Sequence, residues 1–197
     1  MTAKPDARYT PEEYIKMERD AACKSEYFNG EIFAMAGASR KHNLITMSIS
    51  SGLYQQLRKK GCEVYANDMR VKVSSTGLYT YPDIVVVCSP PLFDDALSDT
   101  LLNPDVIVEV LSQSTEAYDR GDKFQNYRVL PSLSEYVLVH QDTRHVEHYA
   151  RQPDSSWRFQ EYFKPGDVFE IRSIGCELKL EDIYEKVDTS GKEDGKQ

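Results

Sequence analysis

Two acidic residues stand in runs of sequence that should exclude them. Asp83 opens Ile84-Val85-Val86-Val87-Cys88, and Glu109 interrupts Val106-Ile107-Val108-Glu109-Val110-Leu111. The β-branched content and shortness of both runs predict buried strands. A carboxylate in such a strand costs several kcal/mol to bury unless it is paired or bound to a cation. Two of them on neighbouring strands can share one ion. Magnesium suits that arrangement, because it takes hard oxygen donors, usually only one or two carboxylates, and fills its shell with water and substrate phosphate. Side chains alternate along a strand, so Glu109 shares its face with Ile107 and Leu111, while Val106, Val108 and Val110 point the other way. The bland readings are a strand-entry proline with a solvated aspartate for Pro82-Asp83, and a buried salt bridge for Glu109.

The elements that must position these acids follow from periodicity and punctuation. Thr10-Pro11-Glu12-Glu13 reads as a capping box, starting a helix through about Arg19. Asn29-Gly30 between Tyr27-Phe28 and Glu31-Ile32-Phe33 predicts a type I′ hairpin. Apolar residues recur at helical spacing from Lys41 to Lys60, with Gly61 as a stop. Strands are expected near 62–66, 69–73 and 84–88, then a Pro/Asp/Ser-rich loop over 89–103 and a strand over 106–111. A helix over 115–130 ends before Pro131, followed by strands at 135–140, 146–149, 157–162 and 168–171 and a short helix at 180–184. This order implies an α/β (α+β) chain with an N-terminal helix and hairpin and C-terminal strands. At this length residues 9–187 form one domain, with polar, flexible termini at 1–8 and 188–197.

Composition removes several classes. No segment resembles a leader or a membrane span, which points to a cytoplasmic protein without a membrane partner. Cys23, Cys62, Cys88 and Cys176 lie far apart with no C-x-x-C pair, and are expected to be reduced, packed thiols. Walker, dinucleotide, nucleophile-elbow and H-E-x-x-H motifs are absent from the sequence. His145 and His148 fall on opposite faces of a strand and read as structural. A net charge of -8 argues against a uniformly basic nucleic-acid coat. A binding cleft must then be locally basic, or a dimer must align Arg40-Lys41 and Arg58-Lys59-Lys60.

Pro82-Asp83 with Glu109 resembles the PD-(D/E)XK nuclease superfamily, although Leu111 stands where the signature has lysine. The following helix carries Lys123 in Asp119-Arg120-Gly121-Asp122-Lys123-Phe124-Gln125-Asn126-Tyr127, and superfamily members are known whose lysine has migrated there. Lys123 and Tyr127, four apart, share one helical face. More specifically, residues 9–187 are similar to the Uma-two family of endonucleases. The resemblance is carried by Glu26 to Glu31, Ser39-Arg40-Lys41-His42, Tyr81-Pro82-Asp83, Glu109-Val110-Leu111-Ser112, Ser114-Thr115, Asp119 to Lys123, Tyr127 and Pro131 to Tyr136.

That resemblance implies a restriction-endonuclease-like core with a mixed central β-sheet flanked by helices. It implies a Mg2+ (or Mn2+) ion held by Asp83, Glu109 and the Val110 carbonyl, and catalytic roles for Asp83, Glu109, Lys123 and Glu31, with His42 ranked behind Glu31. The expected activity is metal-dependent hydrolysis of phosphodiester bonds in nucleic acid, DNA before RNA, by a homodimer. The alternative is a catalytically silent fold of the same type that binds DNA or a protein partner.

Overall fold

The computed structural model describes residues 8–189. The terminal segments expected to be flexible, apart from residues 8, 188 and 189, lie outside the described residues. In chain order the elements are α1 (Pro11–Asp20), the hairpin β1 (Ser25–Phe28) and β2 (Glu31–Ala34), the long α2 (Arg40–Leu57), and β3 (Glu63–Ala66), β4 (Arg70–Val73), β5 (Leu78–Thr80), β6 (Ile84–Val87), β7 (Thr100–Leu101) and β8 (Val106–Leu111). There follow α3 (Glu116–Tyr118), a π-helical turn (Asp119–Lys123), α4 (Phe124–Tyr127), β9 (Glu135–His140), β10 (Val146–Arg151), β11 (Trp157–Tyr162), β12 (Val168–Ile171), β13 (Cys176–Lys179) and α5 (Leu180–Ile183).

A six-stranded mixed sheet, ordered β11-β10-β9-β8-β6-β3, forms the centre. Within it β6 and β8 run antiparallel while β8 and β9 run parallel. A second sheet, β2-β1-β5-β4-β7, and the hairpin β12-β13 complete the architecture. Alternation along β6 and β8 divides the interior. Ile84, Val86, Val106, Val108 and Val110 pack with Ile45, Ile49, Leu53 and Leu57 of α2 and with the C-terminal hairpin. Val85, Val87, Ile107 and Leu111 face the opposite way, against Val71, Val73 and Leu78 of the second sheet and Tyr127 of α4. The central strands are therefore buried on both faces, which is why they read as continuous apolar runs.

Local chemistry sets the element ends. The Thr10 hydroxyl accepts from Glu13 N–H, and the Glu13 carboxylate accepts from Thr10 N–H, closing the expected capping box. Asn29 and Gly30 take φ values of 56° and 89°, as a type I′ turn requires. A Cβ at Gly30 would also meet the Arg8 side chain at 2.9 Å.

Four expectations change. The helix over 115–130 is broken into two short α pieces around the π turn that holds Gly121. β7 arises inside the Pro/Asp/Ser-rich loop, where two residues pair with β4. β5 and β13 were not expected: β5 has only three residues, whereas β13 does alternate buried and exposed side chains just before α5. The cysteines are not all reduced: Cys62 and Cys88 form a disulfide, while Cys23 is free and exposed and Cys176 free and buried. The β3–β6 register, which pairs Glu63 with Val87, places Cys62 and Cys88 opposite each other at the next position. Twenty-six residues of separation hid that pairing. Among the described residues no helix is long and apolar enough to cross a membrane.

Leu53, fully buried between α2 and the central sheet, and Met47, 68% exposed on the same helix, make a contrasting pair. Leu53→Ala is expected to cost about 2–5 kcal/mol in urea unfolding, whereas Met47→Ala should stay within about 0.5 kcal/mol.

Candidate active site

Antiparallel pairing of Ile84 with Val108 sets Asp83 across from Glu109, one residue beyond that pair. The Asp83 N–H lies 3.4 Å from Glu109 Oε2, and Asp83 Oδ2 accepts from Val110 N–H at 2.7 Å. His42 Nε2, on the first turn of α2, lies 3.1 Å from the same Asp83 oxygen. Ser39 caps that turn by accepting from His42 N–H. Two elements, β8 and α2, thus hold one carboxylate, which keeps a partly exposed edge.

Glu109 is buried and reaches the opposite partner set. Lys123 Nζ lies 3.1 Å from Glu109 Oε1, and Tyr127 donates its hydroxyl to that oxygen at 3.0 Å. The same ammonium lies 3.3 Å from Glu26 Oε1 and 3.3 Å from Asp119 Oδ1. The Asp119 contact is an ion pair, and among the described residues Asp119 Oδ1 has no hydrogen-bond partner. Thr80 donates to Glu26 Oε1, and the Tyr118 ring lies 5.7 Å from the ammonium. Tyr136 donates its hydroxyl to the Asp119 carbonyl at 2.9 Å, pinning the π turn to β9. The wider π turn sets Asp119 and Lys123 together at its two ends, and such turns recur where function needs a local departure from α geometry.

The residues singled out from sequence are distributed as follows. Asp83, Glu109 and Lys123 come together, with Tyr127 and His42 in contact with them. Glu31 does not join them: it is exposed at the hairpin turn, opposite Phe28. Glu26, on the other strand of that hairpin, takes the place expected for Glu31. Its signal was available, because Ser25-Glu26-Tyr27-Phe28 carries an acid in a β-prone run by the same logic as Glu109. Asp119 was missed because an acid within an expected helix ordinarily reads as solvated. Leu111 is buried in the apolar cluster beside Tyr127 and Leu138. The structure assigns Val110 a role through its N–H, on Asp83. His145 and His148 do face apart: His148 pairs with buried Glu135, His145 with Glu161 on β11.

Electrostatics sharpen the picture. Burial pushes the Glu109 carboxyl well above the usual carboxylate range; Lys123 pulls it down, while Asp119, Asp83 and Glu26 add to the push. Burial alone would lower Lys123, but Glu109, Glu26 and Asp119 outweigh it and hold the ammonium charged. Asp119 is raised, by burial first, against the pull of Lys123. Three carboxylates therefore share one ammonium, and Asp83 adds a fourth acid beside Glu109 at the partly exposed end. Among the described residues Glu109 Oε2 has only the long contact from Asp83 N–H, so it retains acceptor capacity toward Asp83. Hard oxygen donors, a local excess of negative charge and two carboxylates from facing strands fit a magnesium-type ion.

Removing the ammonium would leave Glu26, Glu109 and Asp119 buried without their cation. Lys123→Met is expected to destabilise the fold by about 3–5 kcal/mol in chemical denaturation. Glu31→Gln, at an exposed position, should shift stability by less than about 0.5 kcal/mol.

Comparison with known proteins places the chain. A family model, Uma2, described as "Putative restriction endonuclease", matches residues 11–181. Two proteins of Synechocystis sp. (strain ATCC 27184 / PCC 6803 / Kazusa) are similar along most of their length. Uncharacterized protein slr1290 is 36% identical over 180 residues, covering 91% of this chain and 93% of its own. Uncharacterized protein sll1609 is 38% identical over 152 residues, covering 77% and 86%. A crystal structure from Anabaena variabilis ATCC 29413, titled as a putative nuclease belonging to DUF820, superposes with a TM-score of 0.74 at 18% identity, covering 90% of this chain and 98% of that one. That likeness carries the fold, a restriction-endonuclease-like arrangement of mixed sheets and few helices. With the conjunction of Asp83, Glu109 and a helix-borne lysine, and a family model spanning nearly all the ordered elements, the chain belongs to the Uma2 family.

Proposed function

We propose that this protein is a Mg2+- or Mn2+-dependent endonuclease that hydrolyses phosphodiester bonds, with DNA as its substrate. The observation that carries the reading is the meeting of Asp83 and Glu109 across β6 and β8 with Lys123 on Glu109. Asp83, Glu109 and the Val110 carbonyl are the residues that would hold the ion. When bound, such an ion polarises the scissile phosphate and lowers the pKa of a coordinated water.

The chain's own residues do the rest. Val110 N–H and His42 hold Asp83 Oδ2, fixing the rotamer of the carboxylate that reaches the open edge. Tyr127 and Lys123 hold Glu109 Oε1 and leave Oε2 turned toward Asp83. Lys123, kept as an ammonium by three carboxylates, stabilises negative charge developing on the phosphate or orients the attacking water. Glu26 and Asp119 position Lys123 from the second sheet and the π turn. With Leu111 packed in the core, the lysine approaches Glu109 from above the sheet. In this reading the active form is a homodimer, whose combined surface offers a net-acidic chain a way to meet two DNA strands.

Supercoiled plasmid and labelled oligonucleotides with Mg2+ or Mn2+ provide the test. Nicking is expected with the metal and not with excess chelator, and Asp83→Asn or Glu109→Gln should abolish it. Lys123→Ala, assayed under conditions where it remains folded, should slow cleavage by about 10^2-fold or more. His42→Ala, acting only through Asp83, should cost about 10–100-fold. Nicking that survives both Asp83→Asn and Glu109→Gln would overturn the assignment.

A further inference from the structure

One cluster of chemically capable side chains lies outside the acidic centre. His140 ends β9, His145 precedes β10, and Glu147 lies within β10. Their potential ligand atoms all fall within 4.8 Å of one another. The β9–β10 register continues to this end of the ladder, where His140 N–H donates to the His145 carbonyl at 3.0 Å. The rings of His140 and His145 stack with centroids 4.3 Å apart. Glu147 is buried and points from the same sheet face as Glu109, since both pair with Leu138.

The hydrogen bonds in this cluster cannot all be satisfied together. His140 Nε2 lies 2.9 Å from Glu147 Oε1 and 2.9 Å from Arg120 Nη2. An imidazole nitrogen carries either a proton or a lone pair. With a proton it satisfies the carboxylate but abuts the guanidinium N–H. With a lone pair it accepts from the guanidinium but faces a carboxylate oxygen that has nothing to receive. Arg120 also donates to Glu147 through Nε at 2.9 Å and through Nη2 at 2.6 Å. It has a second acid within reach, Glu116, four residues earlier and already in contact with Nη1.

We propose that His140, His145 and Glu147 form a second metal site, which takes a divalent transition-metal ion of the zinc type, with Arg120 turning onto Glu116 as the ion enters. An ion between Nε2 and the carboxylate replaces the conflicting contacts with two coordinate bonds of one sense. Two imidazoles and a carboxylate are a zinc donor set, whereas magnesium prefers oxygen throughout. Glu161 Oε1 lies 2.9 Å from His145 Nε2, as the outer carboxylate that orients a ligating histidine. The site flanks the turn at 141–144. That turn also holds the start of α2, through Ser39 Oγ on Gln141 Oε1 at 2.6 Å and Lys41 Nζ on Asp142 at 3.0 Å. The ion therefore braces the turn against which the His42-bearing end of α2 rests. Ion binding by these residues does not depend on phosphodiester cleavage at the acidic centre.

Cobalt(II) is the probe, because its visible d–d bands report a site containing imidazole nitrogen, and zinc should displace it. The chelator-treated full-length protein is expected to take up one equivalent of Co2+ with such bands, and Zn2+ to raise its Tm. Asp83→Asn combined with Glu109→Gln should leave the bands intact. His145→Ala, at a partly exposed position with circular dichroism as the check on folding, should weaken binding at least tenfold and lose the Zn2+ effect on Tm. Arg120→Gln, which removes the competing guanidinium, should bind more tightly than the unaltered protein. Absence of Co2+ uptake in the unaltered protein, bands that persist unchanged in the His140→Ala/His145→Ala double variant, or bands lost with Asp83 and Glu109 would each overturn the proposal.

Discussion

Much of this structure depends on one ammonium group shared by three carboxylates. Lys123 Nζ lies within 3.1–3.3 Å of Glu109, Glu26 and Asp119, which come from the central sheet, the second sheet and the π turn. Each charge alone would cost several kcal/mol to bury, and the contact is tolerable only if all partners arrive together. The cluster therefore ties the relative placement of β1, β8 and the helical segment to electrostatics as well as to packing. The apolar side chains around it, Ile107, Leu111, Tyr127, Tyr136 and Leu138, exclude water and strengthen the attraction.

The same arrangement explains how a lysine on a helix can serve an acid on a strand. A side chain at position 111 would leave the sheet on the same face as Glu109, two residues along. Here that position packs as leucine, and the cation descends from the π turn onto Glu109 Oε1 instead. The extra width of the turn lets Asp119 and Lys123 both point inward, while Arg120 between them reaches Glu147 and His140. A regular α-helix through this stretch would not carry the same three side chains to the same places.

Asp83 and Glu109 are held by different means. Asp83 is fixed by a backbone N–H donor, with an imidazole nitrogen 3.1 Å from the same oxygen, and keeps a partly exposed edge. Glu109 is buried against an ammonium and a phenol, with burial and neighbouring acids pushing its carboxyl upward. One member of the pair faces outward and the other is anchored in the core. That asymmetry gives the pair a rigid base and an accessible rim.

Burial of both strand faces and the alternation of side chains were legible in the sequence. The runs at 84–87 and 106–111 needed no tertiary information to be read as core strands, and the acids in or beside them stood out because burying a charge is costly. The capping box at Thr10 and the Asn29-Gly30 turn were equally local, set by short-range hydrogen bonding and by φ. What the chain order could not reveal was which distant groups answer those charges. Glu26 and Glu31 flank one turn and share one face of the hairpin, and only the pairing of β1 with β5, which leaves β2 at the sheet edge, buries Glu26 and keeps Glu31 in water. Cys62 and Cys88, Asp119 within its π turn, and the meeting of His140 with His145 and Glu147 likewise depend on register and on contacts across the sheets. Local sequence determined where charge would be buried; the tertiary structure decided its partners, because pairing energies act through space between residues that the chain keeps far apart.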